Sequence, residues 1–325
     1  NGDMRLDQRN AGASVALSNT TVFGVDRWRV RTGTGTSNTA QRSTSVVPTK
    51  FTHSIGITIG TGASPGTTGT NYFSQAIEGF NVPDLAWGSA SAVSITASFW
   101  VRSSLTGSFG LTVNSQPSNR TYPILYTISS ANTWEYKTIT IPGDTVSALA
   151  SDNSEAMSLT FSLGAGSTYL GTSGAWTTGD IRGVTGETQL VATSGATWYI
   201  TGVQLEAGSV ATPFERRSYG QELSLCQRYF QKVGAYGRQT GAAINTTTIM
   251  IPLPIPVSMR ATPSFSGSIS QCKLYNAGAV TTTSSSCSVN AAWDAQIDLQ
   301  ISGMSVSDNN TYWVSFNSST LSAEL

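Results

Sequence analysis

The chain has 325 residues, 39% of them hydrophobic, which is enough for one large packed domain or two smaller ones. Only 11% are charged, against about 25% in an average soluble protein, and the formal net charge is zero. A chain without a basic field is a poor partner for nucleic acid, and no segment reaches the ~20 apolar residues that membrane insertion needs. Ser, Thr, Asn and Gly dominate instead, as is typical of extracellular and virion β-proteins.

Alternating apolar and polar residues in the first two thirds of the chain predict antiparallel strands with one buried face. Residues 93–101 and 157–163 alternate without interruption. In residues 198–205 the apolar phase shifts at Thr201 and Gly202, where a β-bulge would restore a single buried face. Long Gly-, Ser- and Thr-rich loops join the strands, and helical periodicity is almost absent. This pattern indicates a β-sandwich of jelly-roll type.

One segment, residues 218–232, does have helical periodicity. Ser218 and Gln221 have the spacing of a capping box. Two alternatives remain open, an amphipathic helix packed on a sheet or a helix seam around the axis of a homotrimer. The seam would use residues with coiled-coil spacing: Tyr219, Leu223, Cys226 and Phe230.

The most informative C-terminal segment is 249–257, where apolar residues alternate with Pro252, Pro254 and Pro256. Apolar side chains on one face indicate a strand, and the three missing N–H donors lie along one edge. We therefore predict an edge strand that is protected against further pairing, with a polyproline-like linker as the alternative.

The predicted architecture is all-β, with a jelly-roll β-sandwich over 1–215, a short connector helix over 216–234 and a smaller C-terminal β domain over 235–325. We predict that the chain assembles as a homotrimer. Three cysteines at irregular spacing do not form a disulfide framework, and a bridge between Cys272 and Cys287 stays open.

Catalytic chemistry has few residues available, so we expect no enzyme activity. His53 is the only histidine, and a plain strand or loop position explains it better than a role as a base. Glycoside hydrolysis needs two carboxylates that flank a sugar, but carboxylates in turns, such as Asp144, Asp152 and Asp180, are usually turn formers.

Sugar binding would use exposed aromatic platforms with polar groups at their rim. Four aromatic residues in polar loop surroundings are candidates, with a role as loop anchors as the alternative: Trp87, Trp176, Tyr72 and Tyr169. Four tryptophans in strand patterns are instead expected in the core or barely exposed: Trp28, Trp100, Trp134 and Trp198.

Three regions resemble bacteriophage virion proteins. The opening NGDMRLDQRNAG at 1–12 and the Asp-Arg-Trp step at 26–28 are similar to jelly-roll modules of marine phage tail and fibre proteins. The run WYITGVQLE at 198–206, followed by ATPFERR at 211–217 and LSLCQRYF at 223–230, is similar to phage and prophage structural proteins. The resemblance covers residues 1–232 and implies a sandwich like those of carbohydrate-binding modules.

The resemblance further implies a virion structural protein of fibre type on the exterior of the particle. We expect a tail fibre that adheres to a host-surface glycan and has other tail or capsid proteins as partners. The rivals are a capsid-decorating or head-fibre protein of the same fold and a polysaccharide-depolymerising tailspike. No cofactor is expected. A structural calcium stays open, because such sandwiches often hold one where the N-terminal segment meets the last strand, here at Asn1, Asp3 and Glu206.

Overall fold

In the computed structural model the chain forms two compact units, Asn1–Arg217 with Leu325 and Ser218–Glu324. The structure describes residues 1–233, 238–274, 286–292, 296–303, 306 and 310–325, with the backbone alone for 238, 268–274 and 317–318. The division falls two residues beyond 215, and the helix predicted as a separate connector belongs to the second unit. Among the described residues, no helix is long and apolar enough to cross a membrane.

The first unit consists of two large antiparallel sheets and one short parallel pair, β12 with β14. The strands are β1 (Val15–Ala16), β2 (Val22–Val25), β3 (Trp28–Thr32), β4 (Thr39–Ser43), β5 (Ser54–Thr58), β6 (Thr70–Glu78), β7 (Ile95–Ser103), β8 (Gly107–Ser115), β9 (Arg120–Ile128), β10 (Glu135–Ile141), β11 (Glu155–Ala165), β12 (Leu170–Gly171), β13 (Thr177–Thr178), β14 (Gly183–Val184) and β15 (Thr197–Ala207). The six-stranded sheet has the order β1-β4-β5-β15-β7-β10, and the seven-stranded sheet β13-β9-β8-β11-β6-β3-β2.

Aromatic side chains join the two sheets across a shared core. Trp198 of the six-stranded sheet lies 5.8 Å from Phe73 and 5.7 Å from Phe161 of the seven-stranded sheet, centroid to centroid. Trp28 stacks on Phe73 at 4.7 Å. Alternate residues of each strand point into the layer between the sheets, so the alternating apolar residues of the sequence form the core. The all-β sandwich predicted for this region is confirmed.

The predicted bulge in the last strand of the first unit is confirmed. The pairing of β15 with β7 shifts register between Thr201 and Gln204. Ile200 before the bulge and Val203 after it are both buried, so one extra residue restores the buried face. Gly202 has a φ of +62° and so adopts the left-handed conformation, which a side chain would disfavour.

The Asp-Arg-Trp step at 26–28 fixes the N-terminal segment to the sandwich. The carboxylate of Asp26 accepts hydrogen bonds from the backbone N–H and the side-chain amide of Gln8. Arg27 donates to the carbonyl of Ala76, and the indole N–H of Trp28 donates to the carbonyl of Asn1 at 3.0 Å. In this chain the step therefore has a structural role.

In its described residues the second unit contains one helix, α1 (Tyr219–Gln227), followed by strands. Ser218 caps the helix by accepting a hydrogen bond from the backbone N–H of Gln221 at 3.3 Å, as the capping pattern predicted. The predicted helix over 218–232 is too long, because Phe230 already lies in a strand that pairs with β22. The strands are β16 (Phe230–Lys232), β17 (Arg238–Asn245), β18 (Thr248–Pro254), β19 (Ser264–Leu274), β20 (Ser286–Ala292), β21 (Gln296–Ser302) and β22 (Thr311–Ser322).

The proline-rich strand β18 is an inner strand for half its length and an edge for the other half. It pairs with β21 along the whole strand but with β17 only as far as Met250. The carbonyl of Met250 faces β17, and backbone groups two and four residues later in a strand point to the same side. Pro252 and Pro254 therefore lack their N–H donors on the side of β18 where the pairing with β17 has ended. The prediction of a protected edge is thus correct for the half of β18 that contains the prolines. The prediction that the whole strand is an edge strand was wrong.

The thiol of Cys287 is free, and burial raises its pKa to about 12. The side chain of Cys272, the other partner of the bridge left open by the sequence, lies outside the described residues.

Candidate functional site

A cleft of about 490 Å³ opens on the outer face of the six-stranded sheet of the first unit. Trp100 of β7 and Tyr136 of β10 stand directly opposite each other on this face, with ring centroids 5.4 Å apart. Trp100 is half-buried, and Tyr136 is 46% exposed. Both rings lie on the side of the sheet opposite the core and line the cleft, so they offer aromatic surface to solvent.

A second aromatic pair, Phe51 and Phe214, forms another wall of the cleft. Their rings meet edge to face at 5.4 Å. The guanidinium of Arg216 lies 4.7 Å from the ring centroid of Phe51, and it also donates a hydrogen bond to the carbonyl of Lys50. These contacts fix the wall through cation–π and aromatic interactions.

The bulge makes room for this wall. A Cβ on Gly202 would lie 2.6 Å from the ring of Phe51 and 3.3 Å from that of Trp100. Only glycine lets the two rings approach the backbone there, and its positive φ provides the turn of the strand. Gly202 therefore has two effects. The bulge at this residue returns the apolar side chains of β15 to the core face, and the absence of a side chain makes room for the cleft on the outer face.

Residues 211–216 fold back over the sheet and are held there by side chains of β15. The amide of Gln204 donates to the carbonyl of Thr212, and its oxygen accepts from the backbone N–H of Glu215 at 2.7 Å. The carboxylate of Glu206 accepts from the N–H and hydroxyl of Thr212. Burial alone would raise the pKa of Glu206, but the hydrogen bonds from Thr212 and Gln204 hold it below its usual value.

The predicted sugar platforms lie elsewhere. Trp87 is only 5% exposed, its indole N–H donates to the carbonyl of Val93, and its ring packs edge-on against half-buried Trp176 at 5.2 Å. Tyr72 is 8% exposed and has the guanidinium of Arg182 over its ring at 5.3 Å. The expectation that Trp87 and Tyr72 present open faces was wrong, because both pack against protein.

Among the other candidates, Trp176 donates its indole N–H to the carbonyl of Pro142, and Tyr169 is half-buried in a 3-10 turn. The structure brings Trp87 and Trp176 together as a loop anchor. Trp100, which was assigned to the core or barely exposed, lines the cleft instead. The sequence did contain a signal, since Trp100 falls on the polar phase of its strand with Ser98 and away from Phe99.

The three predicted calcium ligands are engaged within the protein. The side chain of Asn1 bonds the carbonyls of Leu6 and Asp26, Asp3 forms an ion pair with Arg5, and Glu206 binds Thr212. The N-terminal segment does meet β15, where the N–H of Val203 donates to the carbonyl of Gly2. In the described part of the chain, no group of three or more His, Cys, Asp or Glu residues could hold a metal ion. Calcium binding at Asn1, Asp3 and Glu206 stays a prediction.

The four residues of the predicted helix seam do not share one surface. Tyr219 is 60% exposed at the start of α1, whereas Cys226 and Phe230 are buried within the second unit. Phe230 has left the helix, so the four-three-four spacing is interrupted at Arg228. The homotrimer itself stays a prediction, but Phe230 is a core residue rather than an exposed seam position.

The carboxylates weighed for catalysis are tied into turns and ion pairs. Asp144 binds Arg120 at 2.7 Å, and Asp152 accepts from the N–H of Ser154. Asp180 pairs with Arg182. Burial lowers the pKa of His53, whose Nδ1 lies 2.9 Å from the hydroxyl of its neighbour Thr52.

Comparison with known proteins gives similarity to solved structures alone, since no family model and no curated protein matches the chain. A carbohydrate-binding module of family 61, solved with β-1,4-galactotriose, is 12% identical over 55% of this chain and 88% of its own, with a TM-score of 0.30. A family 4 module is 16% identical over 63% and 93%, with a TM-score of 0.31. The family 11 module of Clostridium thermocellum is 14% identical over 62% and 99%, with a TM-score of 0.30.

Proposed function

We propose that the first unit is a non-catalytic, glycan-binding module and that the cleft on its six-stranded sheet is the binding site. The observation that carries the proposal is the opposed pair Trp100 and Tyr136 on an outer sheet face. Flat aromatic surfaces match the apolar faces of pyranose rings, and a cleft of this volume is within the range of small-molecule sites. The exposed residue Thr49, which also lines the cleft, can offer its hydroxyl to the sugar.

The wider proposal is a fibre-type structural protein on the exterior of a bacteriophage virion that adheres to a host surface. Its support is the resemblance of residues 1–232, and Gly202 and Phe214, from the similar run at 198–230, belong to the cleft. Tail or capsid proteins would be its partners, and a homotrimer would present three clefts. We expect no turnover, and two of the carboxylates that were considered for catalysis, Asp144 and Asp180, form ion pairs.

The test is a glycan array followed by calorimetry with the array hits. Trp100→Ala should lower the affinity about fivefold if a sugar ring covers ~40 Å² of the indole, because buried apolar area contributes about 25 cal/mol per Å². Phe80→Ala is the matched control, since Phe80 is 59% exposed and does not line the cleft. Equal loss in both variants, or none in Trp100→Ala, would reject the site.

A second arm separates adhesion from decoration of a capsid. Immunogold labelling of virions locates the chain on the tail or the capsid, and a pull-down measures binding to emptied capsid shells. Binding to shells without any glycan binding would favour the decorating or head-fibre protein. Release of new reducing ends from host polysaccharide would favour a tailspike depolymerase.

A further inference from the structure

The outer face of the six-stranded sheet carries cations next to its aromatic surface. Lys50 and Arg216 line the cleft together with Trp100 and Tyr136. None of the residues that line it, all within the described range 1–233, is an aspartate or glutamate. The guanidinium of Arg216 lies over Phe51, and no ion pair joins it or Lys50 to a described carboxylate.

A second hollow of about 330 Å³ lies on the same face of the sheet. Its floor is Gly56, where a Cβ would lie 2.4 Å from the ring of Tyr199, so the tyrosine packs closely on the strand. Arg42 also lines the hollow, and the guanidinium of Arg102 lies 5.5 Å from the ring centroid of Tyr199. No acidic residue is among the lining residues, which again all belong to the described range.

The two hollows are close enough for one ligand. Tyr199 pairs with Arg102 on β7, two residues from Trp100 on the same strand and the same face. Two residues along a strand and one step between strands separate the aromatic positions by about 8 Å. A short oligosaccharide can therefore contact Trp100 and Tyr199 at once.

Acidic groups on this face are already occupied. Glu206 uses its carboxylate to bind the backbone N–H and the hydroxyl of Thr212. Glu215 extends into solvent beside Arg217, with 3.8 Å between the charged atoms. The positive charges of Lys50 and Arg216 thus remain for a ligand.

We infer that the cleft and the neighbouring hollow select an acidic glycan, whose carboxylate or sulfate groups lie against Lys50 and Arg216 while its sugar rings pack on Trp100 and Tyr136. This inference rests on the proposed glycan binding and adds the charge of the ligand. A neutral sugar would leave two cations beside the site without a counter-charge. An anion gains from each, by a factor of about 1.5 to 5 per solvent-exposed pair.

The experiment compares acidic oligosaccharides with their neutralised forms. Octasaccharides of polygalacturonate and hyaluronan are measured beside their carboxyl-reduced derivatives, and a heparin octasaccharide beside its desulfated, carboxyl-reduced derivative. We expect at least one native probe to bind about 2- to 25-fold more tightly than its neutral form in 50 mM salt, from two such pairs. The preference should fall toward unity in 1 M salt, where the screening length is about 3 Å.

Variants separate charge from aromatic contact. Lys50→Gln and Arg216→Gln should each reduce the ratio between the affinity for the native probe and the affinity for its neutral form. Lys232→Gln is the matched control, because Lys232 is an exposed cation of the second unit. Since Arg216 also supports Phe51, Lys50→Gln is the decisive variant if Arg216→Gln perturbs the fold.

The outcomes distinguish this inference from the proposed function. Binding of neutral glycans that depends on Trp100, with no gain from acidic groups, overturns the inference and leaves glycan binding intact. The inference is also overturned if the preference is the same in Lys50→Gln and in the unmodified protein. No binding of any glycan, acidic or neutral, overturns both.

Discussion

The buried carboxyl group of Glu187 makes the stability of the first unit dependent on pH in a predictable direction. Glu187 is 7% exposed and lies between β14 and the outer face of β11. Its carboxylate accepts from the hydroxyl of Ser162 at 2.6 Å and from the N–H of Val184 at 2.8 Å. Burial raises its pKa from 4.5 to about 7 in spite of these hydrogen bonds. We therefore expect Glu187→Gln to change the pH profile of unfolding.

The sign follows from proton binding. Between pH 4.5 and about 7 the folded protein holds a proton on Glu187 that the unfolded chain has lost, so the free energy of unfolding falls as pH rises through this window. Each unit of pKa corresponds to about 1.4 kcal/mol, so the loss amounts to about 3 kcal/mol. Glutamine can accept from Val184 and donate to Ser162 without ionising. Glu187→Gln should therefore gain about 3 kcal/mol relative to the unmodified protein between pH 4.5 and 8.

Urea unfolding followed by tryptophan fluorescence at pH 4.5, 6, 7 and 8 measures this difference. Six of the eight tryptophans lie in the first unit, so its transition dominates the signal. The control is Glu215→Gln, whose carboxylate is exposed to water and should give the same profile as the unmodified protein. A difference between Glu187→Gln and the unmodified protein that stays constant from pH 4.5 to 8 would refute the reasoning.

Three further changes test separate parts of the structure. Gly202→Ala should reduce stability by about 1–3 kcal/mol and weaken glycan binding, because the new Cβ meets Phe51 at a left-handed backbone position; urea unfolding and calorimetry measure the two effects. Ser218→Ala should reduce the stability of the second unit by about 1 kcal/mol in thermal unfolding, through loss of the cap to Gln221. Light scattering should give a mass near three protomers, and Tyr219→Asp should lower it if α1 contributes to the trimer; a monomer at micromolar concentration contradicts the trimer.

The fold could be predicted from the sequence because its signals are local. The alternation of apolar and polar residues in 93–101 and 157–163 is sufficient to predict strands with one buried face. The shift of the apolar positions at Gly202 is likewise sufficient to predict a bulge, without knowledge of the neighbouring strands. The cap at Ser218 is likewise a contact between residues three apart. Helix length failed because tertiary pairing with β22 took Phe230 into a strand, which no local pattern records.

The site could be predicted only in part, because it combines residues that are distant in the sequence. Phe51, Trp100, Tyr136 and Phe214 come from four separate segments, and only the sheet order brings them together. Loop composition pointed instead to Trp87, which lies among Gly and Ser residues but fills a gap beside Trp176 in the core. The position of Trp100 within its strand was a better guide than loop composition. Trp100 alternates with the polar residues of the strand, which places its ring on the outer face.

Because the cleft is exposed to solvent, we expect adhesion to a surface to depend on several clefts acting together. Tyr136 is about half exposed, so a bound sugar would keep much of its hydration, and we expect weak binding at each site. Linking such sites in one particle makes the later contacts intramolecular and can raise the overall avidity by a factor of 10² to 10⁴ without any new contact. A single weak cleft would then allow a particle to sample a surface reversibly, while three engaged clefts would retain it. Adhesion of this kind requires the proposed trimer, because a monomer with this cleft would dissociate from a glycan too readily to act as an adhesin.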